Sequence, residues 1–499
     1  MTTRIVQREL EAYLWGAAVI LRGLIDAGDY KQYIFPLVFL KRISDVYDEE
    51  HAAAMEVYDD EELADLPENH RFAIPDGCAW EDIRSVTTDI GSTVLKAMRA
   101  IETSNPDTLP GVFGDGDWGN KNLLPASTLS DLIEQFSTKT LSIANLPEDE
   151  LGNGYEFLIK KFADDSGHTA QEFYTNRTLV HLMTLMLEPQ PGESVYDPTC
   201  GTGGMLISTA AEVKRQGKEW RNLRLYGQEL NYGTSAIARM NLFLHGVTDG
   251  HIAHGDTLSR PAFHDAKGRL QTFDVALANP PYSIKAWNRD AFATDPYGRN
   301  LWGVPPQNAA DYAFIQHIAV SLDPKTGRAA ILLPHGALDR MQEAAVRRRM
   351  VESGLVEAVI GMAAGLFYNS GMEAVVLVLR TDPTRSTAGK VLFVNAKDHY
   401  VRRKAQSFLN LQNQETILNL YRDFADVDGL AKVVNLDEIA AKGHSLAISQ
   451  YVRPKGSASA AASAADTVEM AVAQWRDTAA SSEAAIANVL TSLGQEVSA

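Results

Sequence analysis

The hydrophobic pattern of this 499-residue chain changes its period near residue 165. Before that point, apolar residues recur at the three- and four-residue spacing of an amphipathic helix, without the alternation typical of strands. Examples are Leu10, Leu14, Ala17, Ala18, Leu21 and Ile25. The stretch Ile34–Ile43 is almost wholly apolar, which predicts burial in a core or against a partner. We therefore predict an N-terminal helical domain over residues 1–165.

Beyond that point, short apolar runs alternate with helical segments and with Gly-rich or polar turns. Such runs are typical of strands that are buried on both faces of a parallel sheet. They predict strands within Ser194–Asp197, Leu223–Glu229, His251–Gly255, Phe273–Ala278, Gly327–Pro334, Leu355–Gly361 and Ala374–Leu379, the last two completing the sheet. We therefore predict that residues 166–455 form an α/β domain around a parallel sheet.

Two further segments follow this domain. Residues 456–466 contain only Gly, Ser, Ala and one Asp, a low-complexity composition that predicts a linker. Residues 467–499 predict a last helix with an imperfect apolar stripe, formed by Val472, Trp475, Ala479, Ile486, Val489 and Leu493 and interrupted by Ser482. This helix either packs on its own chain or contacts another subunit, and we assign it as a subunit-contact helix.

The tetrapeptide Asn279-Pro280-Pro281-Tyr282 directly follows the predicted strand Phe273–Ala278. In open α/β sheets, ligands bind outside the carboxyl ends of the strands. Two prolines fix the backbone and remove two N–H donors, so their carbonyls stay available as acceptors. Asn279 adds an acceptor oxygen and two donors, and Tyr282 adds a flat ring. These groups suit a planar ligand with an amine at its edge; a Pro-rich turn without a ligand is the alternative.

A glycine-rich turn and three acidic residues lie at the ends of other predicted strands. Asp197 precedes the turn Gly201-Thr202-Gly203-Gly204, and the helix beyond presents free N–H groups suited to a carboxylate. An anionic side chain at this point favours a ligand amine over a pyrophosphate. Glu229 ends the next strand at the distance typical of an acid that binds ribose hydroxyls, and Asp256 follows the third. The alternatives are a βα turn without a ligand and solvated strand ends.

Charge and composition narrow the partners and the compartment. The net charge of −18 predicts weak binding of duplex DNA by the chain alone, because neutralisation of phosphates drives that affinity. The densest basic clusters, Arg347–Arg349 and Arg402–Lys404, are each either a solvated face or a phosphate contact. With two cysteines, no signal peptide and no bilayer-spanning apolar run, we expect a cytoplasmic protein.

Two further sets of reactive side chains are interpreted as ordinary residues. Cys200 lies in the glycine-rich turn without an evident activating histidine, so we interpret it as a small loop residue and not as a nucleophile. His251 and His254 lack a cysteine or carboxylate at ligand spacing, so we interpret them as loop histidines and not as metal ligands.

The order of these elements resembles the S-adenosylmethionine-dependent methyltransferases that modify exocyclic amino groups. Over roughly residues 5–455, the chain is similar to the modification subunit of Type I restriction–modification systems, an adenine-N6 DNA methyltransferase. Tyr30–Asp45, Glu172–Arg177 and Ala310–His317 share in this similarity, together with the turns described above. The resemblance implies a Rossmann-like methyltransferase sheet, a flipped-out adenine as the substrate and S-adenosylmethionine as the cofactor, with no metal ion.

The resemblance also implies roles for individual residues. Asn279 and the Pro280 carbonyl would hold the adenine amine, Pro281 would help to stiffen the turn, and Tyr282 would stack on the base. The cofactor would be bound by Glu172, Phe173, Tyr174, Thr175, Asn176 and Arg177 at its methionine end, by Asp197, Gly201, Thr202, Gly203 and Gly204 around its amino-acid moiety, by Glu229 at the ribose and by Asp256 at the adenine. Asn176 stands where the family usually has proline.

The implied partners are double-stranded DNA and a separate specificity subunit that reads the DNA sequence, with two modification subunits per specificity subunit. A translocating restriction subunit is a further candidate, which the sequence leaves open. The polar segment Ser283–Asn308 is interpreted as a lid that orders on DNA. Two functional alternatives compete with DNA adenine methylation: the same catalytic turn acting on protein glutamine or RNA guanine, and a module without catalysis that binds cofactor or DNA.

Overall fold

The computed structural model describes residues 4–26, 29–165, 175–366, 373–403 and 406–453. The predicted linker, the predicted subunit-contact helix and the site candidates Glu172, Phe173 and Tyr174 lie outside the described residues. In the part of the chain that is described, none of the helices combines the length and the apolar character needed to cross a lipid bilayer.

The N-terminal part of the described chain is helical, as the apolar spacing predicts. Its helices are α1 (Gln7–Leu21), α2 (Lys31–Tyr58), α3 (Glu61–Ala64), α4 (Trp80–Ser85), α5 (Ile90–Ser104), α6 (Ala126–Ser137) and α7 (Glu148–Asp165). Helix α2 buries every side chain from Tyr33 to Val46, so the predicted burial of Ile34–Ile43 is confirmed.

Charged side chains in the buried part of α2 are paired within the chain. Lys41 forms an ion pair with Asp45, and Asp45 accepts the Leu141 N–H at 2.6 Å. Arg42 donates to the Leu146 carbonyl at 2.8 Å. Because an unpaired buried charge is strongly destabilising, these contacts let a helix with charged residues occupy the core, and they tie the segment before α7 to it.

The second part of the described chain is an α/β domain. Its strands are β1 (Ser194–Asp197), β2 (Arg224–Glu229), β3 (His251–His254), β4 (Val275–Ala278), β5 (Arg328–Pro334), β6 (Val356–Gly361), β7 (Ala374–Arg380), β8 (Lys390–Asn395), β9 (Val401–Arg403), β10 (Gln406–Phe408) and β11 (Ala431–Asn435). Its helices are α8 (Arg177–Leu187), α9 (Gly204–Arg215), α10 (Tyr232–Leu244), α11 (Arg289–Ala293), α12 (Asp311–Val320), α13 (Ala344–Glu352), α14 (Leu411–Asp423) and α15 (Leu436–Ala441). Among the described strands, nine form one sheet in the order β11-β8-β6-β7-β5-β4-β1-β2-β3, and β9 and β10 form a separate hairpin.

The strand order puts β1 and β4 side by side at the point where the chain changes direction across the sheet. From β1 the chain proceeds outward through β2 and β3, and it then returns to β4 and continues through β5 on the other side. These five strands pair in parallel, so their carboxyl ends meet at one edge. A crevice at such a switch point is where ligands bind in Rossmann-like sheets. The predicted Rossmann-like fold is therefore confirmed.

The sheet is larger and less uniform than the sequence predicts. Strand β7 runs antiparallel to both β5 and β6. Strand β8 pairs in parallel with β6, and β11 pairs antiparallel with β8. The prediction that the segment Ala374–Leu379 completes the sheet is therefore wrong. The apolar run Val391–Val394 carries a strand signal of its own, and β8 buries all four of these residues, with two in each of the clusters that pack on the sheet.

The helical part and the α/β domain share a hydrophobic core. Phe39 of α2 contacts Phe113 and Phe243, with ring centroids 5.6 and 5.3 Å apart. Phe243 lies on α10, and the neighbouring α10 residues Met240 and Leu244 belong to the same buried cluster as α2. Helix α10 therefore joins the sheet to the N-terminal helices through aromatic and aliphatic contacts.

Replacing Phe39 with alanine should lower the free energy of unfolding by about 3–5 kcal/mol, because it leaves a cavity between aromatic rings that the backbone cannot close. Urea unfolding followed by circular dichroism measures the change. The control is Val57→Ala on the same helix, since the Val57 side chain is 74% exposed and its loss should change stability by less than about 0.5 kcal/mol. Equal effects of the two substitutions would contradict the shared core.

Candidate active site

The predicted catalytic turn leaves β4 at the carboxyl edge of the sheet. All four residues of β4 are buried, Pro280 is buried behind the turn, and Asn279 is half-buried. The Asn279 amide Nδ2 donates to Thr175 Oγ1 at 2.9 Å. Because this bond uses the NH₂ group, it fixes the amide plane and directs the acceptor Oδ1 away from Thr175. Asn279 of the predicted catalytic turn thus contacts Thr175 of the segment predicted to bind the cofactor.

Tyr282 lies at the outer end of the turn, with its ring partly buried against the sheet core. Burial raises the pKa of the Tyr282 phenol, and the charge of nearby Asp311 acts in the same direction, so the hydroxyl is protonated at any ordinary pH. The next residue, Ser283, has a φ of +50° and donates its N–H to Asp311 Oδ1 at 3.1 Å. The turn is therefore attached to the start of α12.

The glycine-rich turn joins β1 to α9. Asp197, the last residue of β1, is buried and accepts the Thr199 N–H at 3.0 Å. Burial raises the pKa of Asp197 to about 8, and the charge of Glu229 acts in the same direction. Gly203 precedes α9 with a φ of +79°, and a Cβ on it would lie 2.6 Å from Leu242 Cδ1. The conformation therefore favours glycine at this position, and any side chain there would also displace Leu242.

The acids at the ends of β2 and β3 are bonded to nearby backbone and remain half-buried. Glu229 accepts the N–H of Gly201 at 3.0 Å and that of Asn231 at 2.9 Å. Asp256 accepts the Leu258 N–H at 2.9 Å and the Ser259 hydroxyl at 2.6 Å. Glu229 thus joins the end of β2 to the glycine-rich turn. The four polar residues predicted at strand ends lie along one edge of the sheet: Asp197, Glu229, Asp256 and Asn279.

Asn176 has a structural explanation that does not involve a ligand. Its side chain is buried, caps the start of α8 by accepting the Thr178 N–H at 3.0 Å, and donates to the Ser407 carbonyl at 3.0 Å. Asparagine is among the preferred residues at a helix N-cap. The amide therefore connects α8 to the β9–β10 hairpin, a contact that proline in this position does not provide.

Arg177 lies behind the glycine-rich turn and forms an ion pair with Glu156 of α7. The Asn241 amide connects this pair to the turn, because Nδ2 donates to Glu156 at 2.7 Å and to the Thr202 carbonyl at 2.9 Å. The guanidinium packs tightly on Gly204, where a Cβ would lie 1.9 Å from Arg177 Nη1. The side chains of Arg177 and Glu156 thus support the turn from the side of the N-terminal helices.

The segment Ser283–Asn308 is folded and packed against the domain, and its interpretation as a lid that orders on DNA stays a prediction. It contains α11 and buries Trp287, Phe292, Arg299 and Trp302. Arg299 forms a 2.6 Å ion pair with Asp295 and donates to the carbonyls of Thr257 and Leu258 at 2.9 and 2.7 Å, directly after Asp256. The tryptophan and phenylalanine residues within this polar stretch of sequence could have predicted the packing.

The basic cluster Arg347–Arg349 has one buried and two exposed side chains, so a phosphate contact stays a prediction. Arg347 is buried and donates to the carbonyls of Arg340 and His444, Arg348 pairs with Glu352 at 2.7 Å, and Arg349 donates to the Trp302 carbonyl at 3.1 Å. Of the second cluster, Arg402 lies on β9, and Lys404 is outside the described residues. The structure therefore engages the first cluster in internal contacts.

Cys200, His251 and His254 are interpreted from the sequence as ordinary loop residues. Cys200 is buried, and burial raises the pKa of its thiol, which is the opposite of the activation that a nucleophilic cysteine needs. His251 and His254 lie on strand β3, so their interpretation as loop histidines is wrong; the short segment HIAH is an edge strand of the sheet.

Comparisons with known proteins agree with this geometry. The family model described as N-6 DNA Methylase matches residues 147–459, and the model described as HsdM N-terminal domain matches residues 10–136. Among characterised relatives, the Type I restriction enzyme MjaVIII methylase subunit of Methanocaldococcus jannaschii is 31% identical over 85% of this chain and 75% of its own. The MjaIX methylase subunit of the same organism is 28% identical over 90% of this chain and 84% of its own.

Among solved structures, the methyltransferase subunit of a Type I restriction-modification system from Streptococcus thermophilus superposes with a TM-score of 0.78. It is 30% identical, and the match covers 90% of this chain and all of that one. A family model that covers most of the chain and a relative above 30% identity together decide the assignment. The chain belongs to the N-6 DNA methylase family and, within it, to the methylase subunits of Type I restriction enzymes.

Proposed function

We propose that this methylase subunit transfers a methyl group from S-adenosylmethionine to N6 of a flipped-out adenine in DNA, with Asn279–Tyr282 as the catalytic turn. One observation carries the assignment of the site: the Asn279 amide is oriented by Thr175 at the carboxyl end of β4, next to the strand that ends in Asp197. A hydrogen-bond acceptor for an amine therefore lies beside an acidic, glycine-rich cofactor crevice.

The donor set of the crevice fits S-adenosylmethionine. The carboxyl group of Asp197 suits the ammonium of the methionine moiety, the half-buried carboxylate of Glu229 suits the ribose hydroxyls, and Asp256 suits the edge of the adenine. The N-terminus of α9 adds N–H groups for the carboxylate of the methionine moiety. When bound, this cofactor supplies a methyl group on a sulfonium that departs as a neutral thioether.

The catalytic turn would activate a poor nucleophile by positioning it. The lone pair of adenine N6 is delocalised into the ring, so the amine must be turned toward a tetrahedral geometry. Asn279 Oδ1 and the Pro280 carbonyl would accept its two N–H bonds and direct the lone pair at the methyl carbon. The methyl group would pass from the sulfonium to N6 with the electron pair of its bond left on sulfur, and the methylated amine would lose its extra proton to solvent. Positioning and preorganised acceptors account for the acceleration, and no general base is required.

Tyr282 would stack on the extruded adenine. A base inside a duplex is inaccessible to the transfer, so it has to leave the helix and enter a pocket. The partly buried ring at the outer end of the turn suits this stacking, which contributes about 1–3 kcal/mol per base in proteins that bind single-stranded nucleic acids. Because Ser283 is bonded to Asp311, the ring lies on an anchored section of chain.

A separate specificity subunit would supply most of the affinity for DNA. The chain carries a net charge of −18, and its cluster Arg347–Arg349 is engaged in internal hydrogen bonds and an ion pair. The net charge favours a basic partner for the phosphate contacts. The ratio of two modification subunits to one specificity subunit, the participation of a translocating restriction subunit, the subunit-contact role of residues 467–499 and a cytoplasmic location stay predictions.

The same catalytic turn acting on protein glutamine or RNA guanine is the second candidate, and the match to the DNA methylase family disfavours it. The two are separated by incubating the chain and its specificity subunit with labelled S-adenosylmethionine and DNA, and then digesting to nucleosides. Label in N6-methyladenine supports the proposed function, and label found only in protein or RNA would overturn it.

Replacing Asn279 with alanine should reduce methyl transfer to DNA by a factor on the order of 10² to 10³, because it removes a preorganised acceptor for the amine. Binding of S-adenosylhomocysteine, measured by calorimetry, should change by less than about twofold. Asn122→Ala, at an exposed position in the N-terminal helical part, is the matched control and should leave both quantities unchanged. Loss of cofactor binding in step with activity would mean that Asn279 has a different role.

Binding of S-adenosylhomocysteine near pH 7 should release up to about one proton per site. The buried carboxyl of Asp197 has its pKa raised to about 8, so it is largely protonated in the free protein, and an ammonium beside it stabilises the ionised form. Affinity should therefore rise between pH 6 and 7.5, by at most about tenfold per pH unit.

Calorimetry in buffers of different ionisation enthalpy measures the released protons. Asp197→Asn should abolish both the release and the rise in affinity. Asp131→Asn, an exposed carboxylate on α6, is the control and should retain both. Proton release that persists in Asp197→Asn would assign the titrating group elsewhere.

A further inference from the structure

Ser283, directly after the proposed catalytic turn, holds a backbone conformation that serine rarely adopts. Its φ is +50°, in the left-handed region that favours glycine. Most other non-glycine residues with positive φ in the described chain adjoin helix ends, such as Asp59 after α2 and Glu188 after α8. There, backbone hydrogen bonds of the helix itself hold the conformation, from the Asp59 N–H to Met55 and from the Glu188 N–H to Thr184. Ser283 lies in a turn and needs another restraint.

Asp311 provides that restraint. It lies 28 residues further along the chain as the first residue of α12, and its side chain is 1% exposed. Oδ1 accepts the Ser283 N–H at 3.1 Å, and Oδ2 accepts the Ser283 hydroxyl at 3.3 Å. Both oxygens of one buried carboxylate are thus directed at a single residue of the turn.

Asp311 also contacts a basic side chain. The Arg340 guanidinium contacts Asp311 Oδ2 at 3.1 Å and Glu343 at 3.3 Å. The start of α12 adds favourable backbone dipoles, because negative charge is stabilised near a helix N-terminus. The buried Asp311 side chain thus has a guanidinium as its partner beside the turn.

The bond from Ser283 to Asp311 controls the orientation of Tyr282. The Ser283 N–H and the Tyr282 carbonyl belong to one planar peptide unit, so fixing the N–H fixes that plane. The backbone angles of Tyr282, and with them the direction of its ring, depend on the same plane. A change in this bond is therefore transmitted to the group that stacks on the target base.

We propose that Asp311 is a positioning residue for methyl transfer, which holds Ser283 in the left-handed conformation and thereby presents Tyr282 to the extruded adenine. The inference depends on the proposed role of Asn279–Tyr282 as the catalytic turn. It differs from a general contribution to folding, because the effect of Asp311 passes through the conformation of one residue. A glycine at that residue adopts the conformation without assistance.

The experiment compares Asp311→Ala, Ser283→Gly and the double substitution in the full chain assembled with its specificity subunit. Asp311→Ala should lower kcat by tenfold or more, with binding of S-adenosylhomocysteine within twofold of the wild type. Ser283→Gly alone should stay within threefold of the wild type. On a logarithmic scale, the double variant should recover at least half of the kcat that Asp311→Ala loses, because a glycine at position 283 no longer needs the carboxylate.

Asp311→Asn and Ser283→Ala are the matched variants. Asparagine keeps an acceptor for the Ser283 N–H, so Asp311→Asn should lose less activity than Asp311→Ala. Ser283→Ala removes the hydroxyl but keeps the N–H bond, so it should also lose less. A structural role alone would lower the melting temperature and cofactor binding together, and glycine at position 283 would not restore kcat.

Three results would overturn the inference: wild-type kcat in Asp311→Ala, a double variant no better than Asp311→Ala, or cofactor binding lost in proportion to kcat. If Asp311→Ala does not fold, Ser283→Val decides, because a β-branched residue resists the left-handed conformation while Asp311 is intact. Wild-type kcat in Ser283→Val would then reject the inference. Full activity in Asn279→Ala would instead reject the catalytic turn itself, whereas an inactive Asn279→Ala with a fully active Asp311→Ala rejects only the role of Asp311.

Discussion

The pairing of β1 with β4 is the constraint on which the candidate site depends. These strands are distant in the chain, yet Val195 pairs with Val275 and Tyr196 with Ala276. Because the strands are parallel, Asp197 and Asn279 leave the sheet at the same edge. Both strands are fully buried, so a shift in their register would move apolar side chains out of the core. The hydrophobic core thus fixes the spacing of two polar groups from distant parts of the chain.

Buried polar contacts give the crevice its local shape, and some of them come from the N-terminal helices and not from the sheet. Helix α7 supplies Glu156, which reaches the glycine-rich turn through Arg177 and Asn241. We predicted that α7 belongs to the N-terminal helical domain, whereas the N-6 DNA Methylase match begins at residue 147 and includes it. Helix α7 contacts both the N-terminal helices and the α/β domain, which explains why it can be assigned to either. The helical part therefore supports the glycine-rich turn in addition to packing on the sheet.

The sequence was informative where the signal is local. Apolar runs followed by Asp197, Glu229 or Asn279 carry the strand and its polar end within a few residues, and the structure has strands at these places. The sequence was misleading where a side chain has a distant partner. Arg347 belongs to a basic triplet, yet it donates to the His444 carbonyl 97 residues away, and Arg299 similarly reaches Thr257. The sequence shows that a residue is charged but not which distant group it will contact. The contacts of Asp311 with Ser283 and of Glu156 with Asn241 were missed for the same reason.

The distribution of charge suggests why recognition of the base and binding of the duplex would be separate tasks. Acidic residues outnumber basic ones by 64 to 46, and the buried arginines Arg299 and Arg347 donate to backbone carbonyls. Hydrogen bonds from Asn279 and Pro280 and stacking on Tyr282 would recognise a base without any net charge. Phosphate contacts, by contrast, require basic side chains and dominate affinity for any DNA sequence. An acidic chain with a charge-independent pocket would thus act only where a partner has already bound the duplex, which limits methylation to the sites that the partner selects.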